Sequence, residues 1–246
     1  MQNSMKGKVV LVIAAHPDDP EFGAGGTIAK YVSLGAKAYY VISTNGERGS
    51  RHHDIDGEKL IEARHKEQKA AADIIGVTQT IFLDHKDGEL QADIKFKEEL
   101  VKIIRKLKPD IVLTHDPSWY YVVREDFSMI NHNDHRETGI GALDAIYPLA
   151  RDLASFPHHQ KMGLTPHKVA QLLLFNFDNP NYLEDVTSTF EKKYKAILEH
   201  KSQVDDPKQT RMWLEKRLSQ LGKKIKVSRA SLQVKYAEGF TKLVLR

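Results

Sequence analysis

Short apolar runs alternate with amphipathic segments along the first half of the chain. The apolar runs are short and uninterrupted, as in buried strands, and they predict strands at 8–15, 36–44, 79–83 and 110–115. The segments between them repeat their apolar positions with a helical period, and they predict helices at 27–35, 58–76 and 93–108. Strands that alternate with helices form a parallel sheet with helices on both faces, so we expect an α/β fold.

The pattern breaks after His115. Residues 116–131 show no clear period, and a connection of this length is typical of a functional loop or of disorder. Plain disorder is disfavoured by the aromatic residues of this segment, which are Trp119, Tyr120, Tyr121 and Phe127.

Regular structure is expected again in the second half of the chain. A helix is predicted from about His132, with a kink at Pro148, and a further strand at 169–177. The part that follows Ser188 has a mostly helical pattern. Neither a repeat nor a linker composition interrupts the sequence, so we expect residues 1–246 to form a single domain.

Composition narrows the function classes. The 246-residue chain contains no cysteine, which excludes disulfides and thiolate metal sites, so a transition-metal site must use histidine and carboxylate ligands. This absence fits a reducing cytoplasm. The net charge of +4 is spread along the chain and predicts no nucleic-acid partner. The apolar run at residues 9–15 is too short to cross a membrane, and we expect neither a signal peptide nor membrane association.

Candidate chemistry follows the first predicted strand directly, at His16, Asp18 and Asp19. In open α/β sheets, ligands bind beyond the carboxyl ends of the strands. His16 and Asp19 are three residues apart on a proline-bearing turn, so their side chains can converge. An imidazole and a carboxylate are two of the three protein ligands expected at a catalytic zinc. Asp18, between them, is placed to take a proton from an activated water.

Two other interpretations fit this stretch less well. Aspartates often cap helices or form turns, but two aspartates and a histidine with nearby Glu21 are more than capping requires. The glycines at 23, 25 and 26 resemble a dinucleotide-binding loop, yet the position of the third required glycine holds Ile28. We therefore expect these glycines to let the backbone pass close to the site.

A second histidine pair, His132 and His135, begins the helix predicted after the irregular segment. On a first helical turn, residues three apart lie on one face. Either histidine can complete a His-Asp-His ligand set, and the other would then stabilise an oxyanion or protonate a leaving group. Alone, the pair is a weak signal, and the metalloprotease His-Glu-x-x-His pattern is absent.

The remaining histidines are given lesser roles. The adjacent pairs at 52–53 and 158–159 lie in polar stretches and are expected at the surface. His65 falls in the middle of a predicted helix. His115 and Asp116 end the fourth predicted strand, so we expect them near the site without binding metal.

The motifs "AHPDDPEFGAGGTIAKY" and "HNDHRETG" closely resemble the LmbE/PIG-L family of zinc-dependent N-acetylglucosaminyl deacetylases. Weaker similarities extend from about residue 8 to 240 and include "STNGERGS", "EARHKEQKAAADIIGV", "FLDHKDGEL", "KAILEHKSQV" and "YAEGF". The resemblance implies a Rossmann-like, mostly parallel sheet with helices on both faces and a helical C-terminal part. It also implies a metal-dependent amidohydrolase that removes the acetyl group from an N-acetylglucosamine-type sugar or its conjugate.

The resemblance also assigns roles to single residues. It implies that His16, Asp19 and His135 bind one zinc ion per chain, although another divalent ion would suit the same donors. It implies that Asp18 is the general base, and that His132 stabilises the oxyanion or assists the departing amine.

Two further positions follow from the family pattern. Arg64 matches an arginine that the family uses for substrate binding, whereas a surface ion pair with Glu67 is the alternative without a functional role. The common motif has glutamate directly after the two aspartates, but here Pro20 intervenes and the acid is Glu21, so no role is assigned to Glu21.

The implied partners are a small amino-sugar substrate and, as in many members of the family, further copies of the chain in a homo-oligomer. A competing hypothesis is a nucleotide-binding or small-molecule-binding Rossmann-like protein without deacetylase activity, because fold alone does not determine function. A third hypothesis is a closed structural metal site with four protein ligands.

Overall fold

The structure is a computed structural model, and it describes residues 5–50, 56–123, 128–176, 178–225 and 234–246. The strands are β1 Val9–Ala14, β2 Lys37–Thr44, β3 Gln79–His85, β4 Ile111–His115, β5 Tyr121–Val123, β6 Ser128–Ile130, β7 Gln171–Phe175, β8 Tyr182–Asp185 and β9 Ala237–Val244. The α-helices are α1 Asp19–Ser33, α2 Gly57–Ile75, α3 Ile94–Leu107, α4 Asn133–Asp144, α5 Phe190–Ile197 and α6 Pro207–Gly222.

Seven strands form one sheet in the order β3-β2-β1-β4-β7-β9-β8. The pairs from β3 to β7 are parallel, whereas β9 is antiparallel to both of its neighbours. The predicted mostly parallel α/β sheet is therefore confirmed. The chain leaves β1 toward β2 and β3, and returns on the other side through β4 and β7. This reversal of strand order lies between β1 and β4, and it opens a crevice at their carboxyl ends.

Strand β1 contributes to a hydrophobic core on each face of the sheet. Val10 and Val12 join a core that also contains residues of α1 and α2, whereas Leu11 and Ile13 join a core with residues of α3. All four side chains are fully buried. Alternate residues of a strand point to opposite faces, so an uninterrupted apolar run is what a doubly covered strand requires. The helices expected on both faces are present.

Helix α1 begins at Asp19, eight residues before the predicted start, and it includes the glycine cluster. A Cβ at Gly23 would lie 2.9 Å from the ring of Phe175, and one at Gly26 would lie 2.8 Å from Cβ of Val186. Glycine is needed here because α1 lies close to β7 and to the chain before α5. The expected close approach of backbone is real, but it is a packing contact inside a helix.

The second half departs from the sequence pattern in the segment 116–131 and at its C-terminal end, whereas the predicted kink is present. The segment expected to be irregular contains a two-stranded hairpin of β5 and β6. The helix after His132 breaks at Tyr147, beside the predicted kink at Pro148. The C-terminal part is helical over α5 and α6, but it ends in β9, whose strand the pattern did not predict.

Three predictions remain to be compared with the structure, which concern membrane spans, residues outside the described ranges and the domain count. None of the helices in the described ranges has the length and apolar character that crossing a bilayer requires. The histidine pair at 52–53 and Phe127 lie outside the described residues. The assignment of residues 1–246 to a single domain stays a prediction.

Candidate metal centre and active site

The candidate site lies in the crevice at the carboxyl ends of β1 and β4. His16 follows β1 on a tight turn that Asp19 closes, because the Asp19 Oδ2 atom accepts a hydrogen bond from the backbone N–H of His16 at 2.7 Å. His135 lies in the first turn of α4, three residues after the N-cap residue His132. Two distant turns therefore bring these side chains to one place.

His16, Asp19 and His135 place donor atoms around one point. Asp19 Oδ2 is 3.4 Å from His16 Nδ1, and Asp19 Oδ1 is 3.3 Å from His135 Nε2. One ligand atom from each residue lies within 4.8 Å of the others. Ligand atoms around a tetrahedral zinc with bonds of about 2.0–2.1 Å are about 3.3 Å apart. The donor set and its spacing therefore fit a divalent metal ion.

The other ring nitrogen of His16 is held by two carboxylates that sequence reasoning did not assign. His16 Nε2 lies 3.2 Å from Asp134 Oδ2 and 3.3 Å from Asp87 Oδ1. Burial alone would lower the pKa of His16, but hydrogen bonds to Asp134, Asp19 and Asp87 raise it well above its ordinary value. A carboxylate on the far nitrogen of an imidazole directs the near nitrogen toward a cation. Asp87 lies in the motif "FLDHKDGEL" and Asp134 in "HNDHRETG". Their places in these motifs are the only sign in the sequence that they belong to the site.

Asp18 lies beside the metal group in an unusual backbone conformation, with φ of 110°. Burial and the neighbouring charge of Asp19 raise the pKa of its carboxyl to about 6, and the nearby Arg64 guanidinium opposes this rise. A carboxyl with this pKa exchanges a proton readily near neutral pH, as a general base must.

His132 is oriented by the start of α4. Its Nδ1 atom accepts a hydrogen bond from the backbone N–H of Asp134 at 3.1 Å. Burial, together with the charge of His16, lowers the pKa of His132. Because Nδ1 is the acceptor, the neutral ring carries its proton on Nε2. His132 thus offers an N–H donor beside the metal group.

Arg64 is buried, with 3% of its surface exposed. Its guanidinium donates to the backbone oxygens of Pro17 at 2.6 Å and Gly46 at 3.0 Å, and it lies 3.7 Å from Asp18 Oδ1. The alternative of a surface ion pair with Glu67 is wrong. Arg64 instead fixes the backbone next to the general-base candidate.

His115 supports the site as a neutral ring. Its Nε2 atom accepts the backbone N–H of Ala15 at 3.0 Å, and its ring stacks on that of His135 with centroids 4.1 Å apart. Burial and the neighbouring His135 lower its pKa to about 4. Because the Nε2 lone pair is already engaged, this geometry supports the expectation that His115 lies near the metal without binding it.

A cavity of about 270 Å³ opens onto the metal group. Asp19, His132 and His135 line it together with apolar side chains, which are Phe22, Trp119, Met129, Ile130 and Phe175. Trp119 therefore reaches the cavity from the segment 116–131. Tyr120 instead carries the guanidinium of Arg136 over its ring, and Tyr121 is exposed.

The adjacent histidines at 158–159 form hydrogen-bonded anchors. His158 is exposed as expected, but the expected surface position of His159 is wrong, because its side chain is fully buried. Glu98 Oε1 lies within hydrogen-bond distance of both histidines and of Lys102. Arg105 Nη1 donates a hydrogen bond to His159 Nδ1 at 3.2 Å. Because Nδ1 accepts this bond, the proton of the neutral His159 ring is on Nε2, which faces Glu98. These donors satisfy the carboxylate without a metal.

Comparisons with known proteins agree with this geometry. The family model of GlcNAc-PI de-N-acetylases, PIG-L, matches residues 11–146. A diacetylchitobiose deacetylase of Thermococcus kodakarensis is 34% identical over 203 residues, which cover 81% of this chain and 71% of the relative. A 4-oxalmesaconate hydratase of Pseudomonas putida is 29% identical, over 77% of this chain and 72% of the relative.

Solved structures give the same result. The N,N'-diacetylchitobiose deacetylase from Pyrococcus horikoshii, in complex with its inhibitor MPG, superposes with a TM-score of 0.85 and 32% identity. The match covers 99% of this chain and 86% of that one. The extent of both matches, together with the position of the His-Asp-His group, shows that the chain belongs to the PIG-L (LmbE) family.

Proposed function

We propose that this protein is a metal-dependent amidohydrolase that removes the acetyl group from an N-acetylglucosamine-type amino sugar and releases acetate. The observation that carries the proposal is the convergence of His16, Asp19 and His135, which lies next to Asp18 in the chain and beside a cavity that Asp19 and His135 line. Two deacetylases of diacetylchitobiose are similar to this chain over most of its length. A nucleotide-binding role without deacetylase activity has no support from these comparisons.

The donor set fits zinc, which accepts two imidazoles and a carboxylate and keeps a position for water in catalytic sites. His16, Asp19 and His135 would hold the ion, one per chain. When bound, the ion would lower the pKa of water and polarise the acetamide oxygen.

The remaining steps belong to the protein's own side chains. Asp18 takes the proton from the attacking water, which adds to the acetyl carbonyl carbon. The Nε2–H of His132 donates to the carbonyl oxygen as negative charge develops on it. Asp18 then returns the proton to the amide nitrogen, the carbon–nitrogen bond breaks, and acetate and the free amine leave.

The cavity suits one sugar ring. Its aromatic and apolar side chains, including Trp119 and Phe22, offer faces on which the carbon–hydrogen face of a sugar ring can stack. Arg64 does not line the cavity but contacts the turn that carries Asp18. Its contacts support a role in holding the Asp18 turn at least as well as direct substrate binding. A homo-oligomer and a cytoplasmic location stay predictions.

The test is acetate release from a panel of N-acetylated sugars, including N-acetylglucosamine, diacetylchitobiose and an N-acetylglucosaminyl malate conjugate. We expect release from at least one substrate, its loss after treatment with a chelator, and its recovery when zinc is restored. The hydratase among the relatives makes a second assay informative. Hydration of 4-oxalmesaconate, an unsaturated tricarboxylate, without acetate release from any sugar, would contradict the proposal.

A further inference from the structure

The peptide group that joins Pro17 to Asp18 is held at both ends by one face of α2. Arg64 donates to its oxygen at 2.6 Å, and its N–H donates to Gln68 Oε1 at 2.9 Å. Arg64 and Gln68 are four residues apart, so they lie on the same side of the helix. A single rigid element therefore fixes the orientation of one peptide plane.

This peptide plane sets the direction of the Asp18 side chain. Asp18 has φ of 110° and ψ of −32°, a conformation that residues with a Cβ rarely adopt. Such a conformation persists only when its surroundings impose it. If the peptide plane were released, rotation about φ would turn the carboxyl of Asp18 away, whereas Asp19 is held separately by its own bond to His16.

Gln68 is itself fixed by a buried carboxylate. Its amide nitrogen donates to both oxygens of Glu21, at 3.2 and 3.0 Å, and both residues are fully buried. A carboxylate accepts but does not donate, so the Gln68 oxygen must face Asp18. On its other side, Glu21 lies 3.1 Å from His200 Nε2, after α5. A chain of contacts thus connects the C-terminal part to the Asp18 turn.

We propose that Gln68 is a positioning residue for the reaction, acting through the backbone of Asp18. Glu21 and His200 keep the Gln68 amide in the orientation that accepts the Asp18 N–H. This assigns a role to Glu21, which lies one residue later in the chain than the glutamate of the common family motif. The inference rests on the proposed function, in which Asp18 moves the proton.

The first test is Gln68→Met, which keeps the length of the side chain and removes its hydrogen bonds. Misplacing a catalytic group by about 1 Å can lower a rate about 100-fold, and we expect a loss of this order in kcat. We expect KM to stay within about twofold, since substrate binding is not altered. Bound metal per chain should equal that of the wild type, because the ligands are held by other contacts.

The second test is an exchange of the two side chains. Gln68→Glu alone places two carboxylates in contact, and we expect it to be as impaired as Gln68→Met. With Glu21→Gln added, the direction of the buried hydrogen bond is reversed: the amide at position 21 donates to the carboxylate at position 68, which again accepts from the N–H of Asp18. The double variant should regain at least about tenfold in kcat over Gln68→Glu, a measurable pairwise coupling. This rescue is informative even if Gln68→Met does not fold.

Val101→Ala is the matched control, because it removes buried volume from the core at α3, away from α2. It should lower the melting temperature without changing kcat. The inference is overturned if Gln68→Met retains wild-type kcat, if its metal content falls together with its activity, or if the exchanged pair recovers nothing. A wild type that releases no acetate from any sugar contradicts the proposed function instead, so the two failures are distinguishable.

Discussion

The ion pair of Lys193 and Glu238 lies fully buried against the middle of α1. Its Nζ and Oε1 atoms are 2.6 Å apart, and neither side chain is exposed to solvent. Lys193 also donates to the backbone oxygen of Phe22, while Glu238 accepts the N–H groups of Gly26 and Thr27. The pair thus joins α5 and β9 to the helix that begins with Asp19. We predict that Lys193→Met destabilises the protein strongly.

The magnitude follows from what remains around Glu238. Removing one partner of a buried pair destabilises by about 3–5 kcal/mol, because the other charge stays buried. Glu238 keeps two backbone donors, at 2.9 and 2.7 Å, so we expect the lower end, about 3 kcal/mol. For a chain of this length, that corresponds to a fall in melting temperature of about 6–12 °C.

Urea unfolding monitored by tryptophan fluorescence measures this free energy. The double variant Lys193→Met/Glu238→Gln removes both charges and leaves one backbone donor without a partner. A buried donor without a partner destabilises the fold by about 1–3 kcal/mol. We therefore expect it to be no less stable than Lys193→Met, so that the two substitutions are strongly non-additive. A loss below about 1 kcal/mol in Lys193→Met, or simple addition of the two single effects, would refute the reasoning.

Two further predictions concern packing and pH. Gly26→Ala should destabilise by about 1–3 kcal/mol, because its Cβ would lie 2.8 Å from that of Val186. Gly25→Ala should stay within about 1 kcal/mol of wild type, because the nearest atom to its Cβ would be Lys193 Cγ at 3.3 Å. Hydrogen bonds, first from Lys102, lower the pKa of Glu98 to about 2. A carboxyl whose pKa is lowered by folding stabilises the fold at pH values above its pKa in the unfolded chain, about 4.3. This stabilisation is lost as the pH falls toward 2. Glu98→Gln should therefore cost about 1 kcal/mol at pH 7, after allowance for solvent screening, and nothing near pH 2; equal losses at both would contradict this.

Much of the sheet and the position of the site could be predicted from sequence. An apolar run such as that of β1 has a direct cause, since both of its faces are covered, and polar residues that follow it must lie at the carboxyl edge. The spacing of His16 and Asp19 places both on one turn. The choice of His135 rather than His132 as the third ligand required the resemblance to a family, because the spacing of the pair allows either residue to complete the set.

The parts that could not be predicted depend on contacts between distant residues. Gly23 and Gly26 have low helix propensity, and the helix through them exists because Phe175 and Val186 lie against it. The sequence "AEGFTKLV" of β9 has no strand-like alternation, and its pairing with β7 and β8 determines its conformation.

Burial of polar residues was equally hidden from the sequence. Arg64 and His159 lie in segments that look polar and exposed, yet both are enclosed by backbone oxygens or by charged partners from other elements. The roles of Asp87 and Asp134 cannot be predicted from spacing, because both residues hold His16, and residues that act through a ligand show no spacing of their own.

The measurement that tests the central claim most directly is the metal content per chain after dialysis, in wild type and in Asp18→Ala and Asp19→Ala. The account predicts one divalent ion per chain in wild type and in Asp18→Ala, which should nevertheless be inactive. It predicts loss of the ion in Asp19→Ala, because Asp19 lies between both histidine ligands. Equal metal content in the two variants, whether retained or lost, would contradict the assignment of these adjacent aspartates to separate roles.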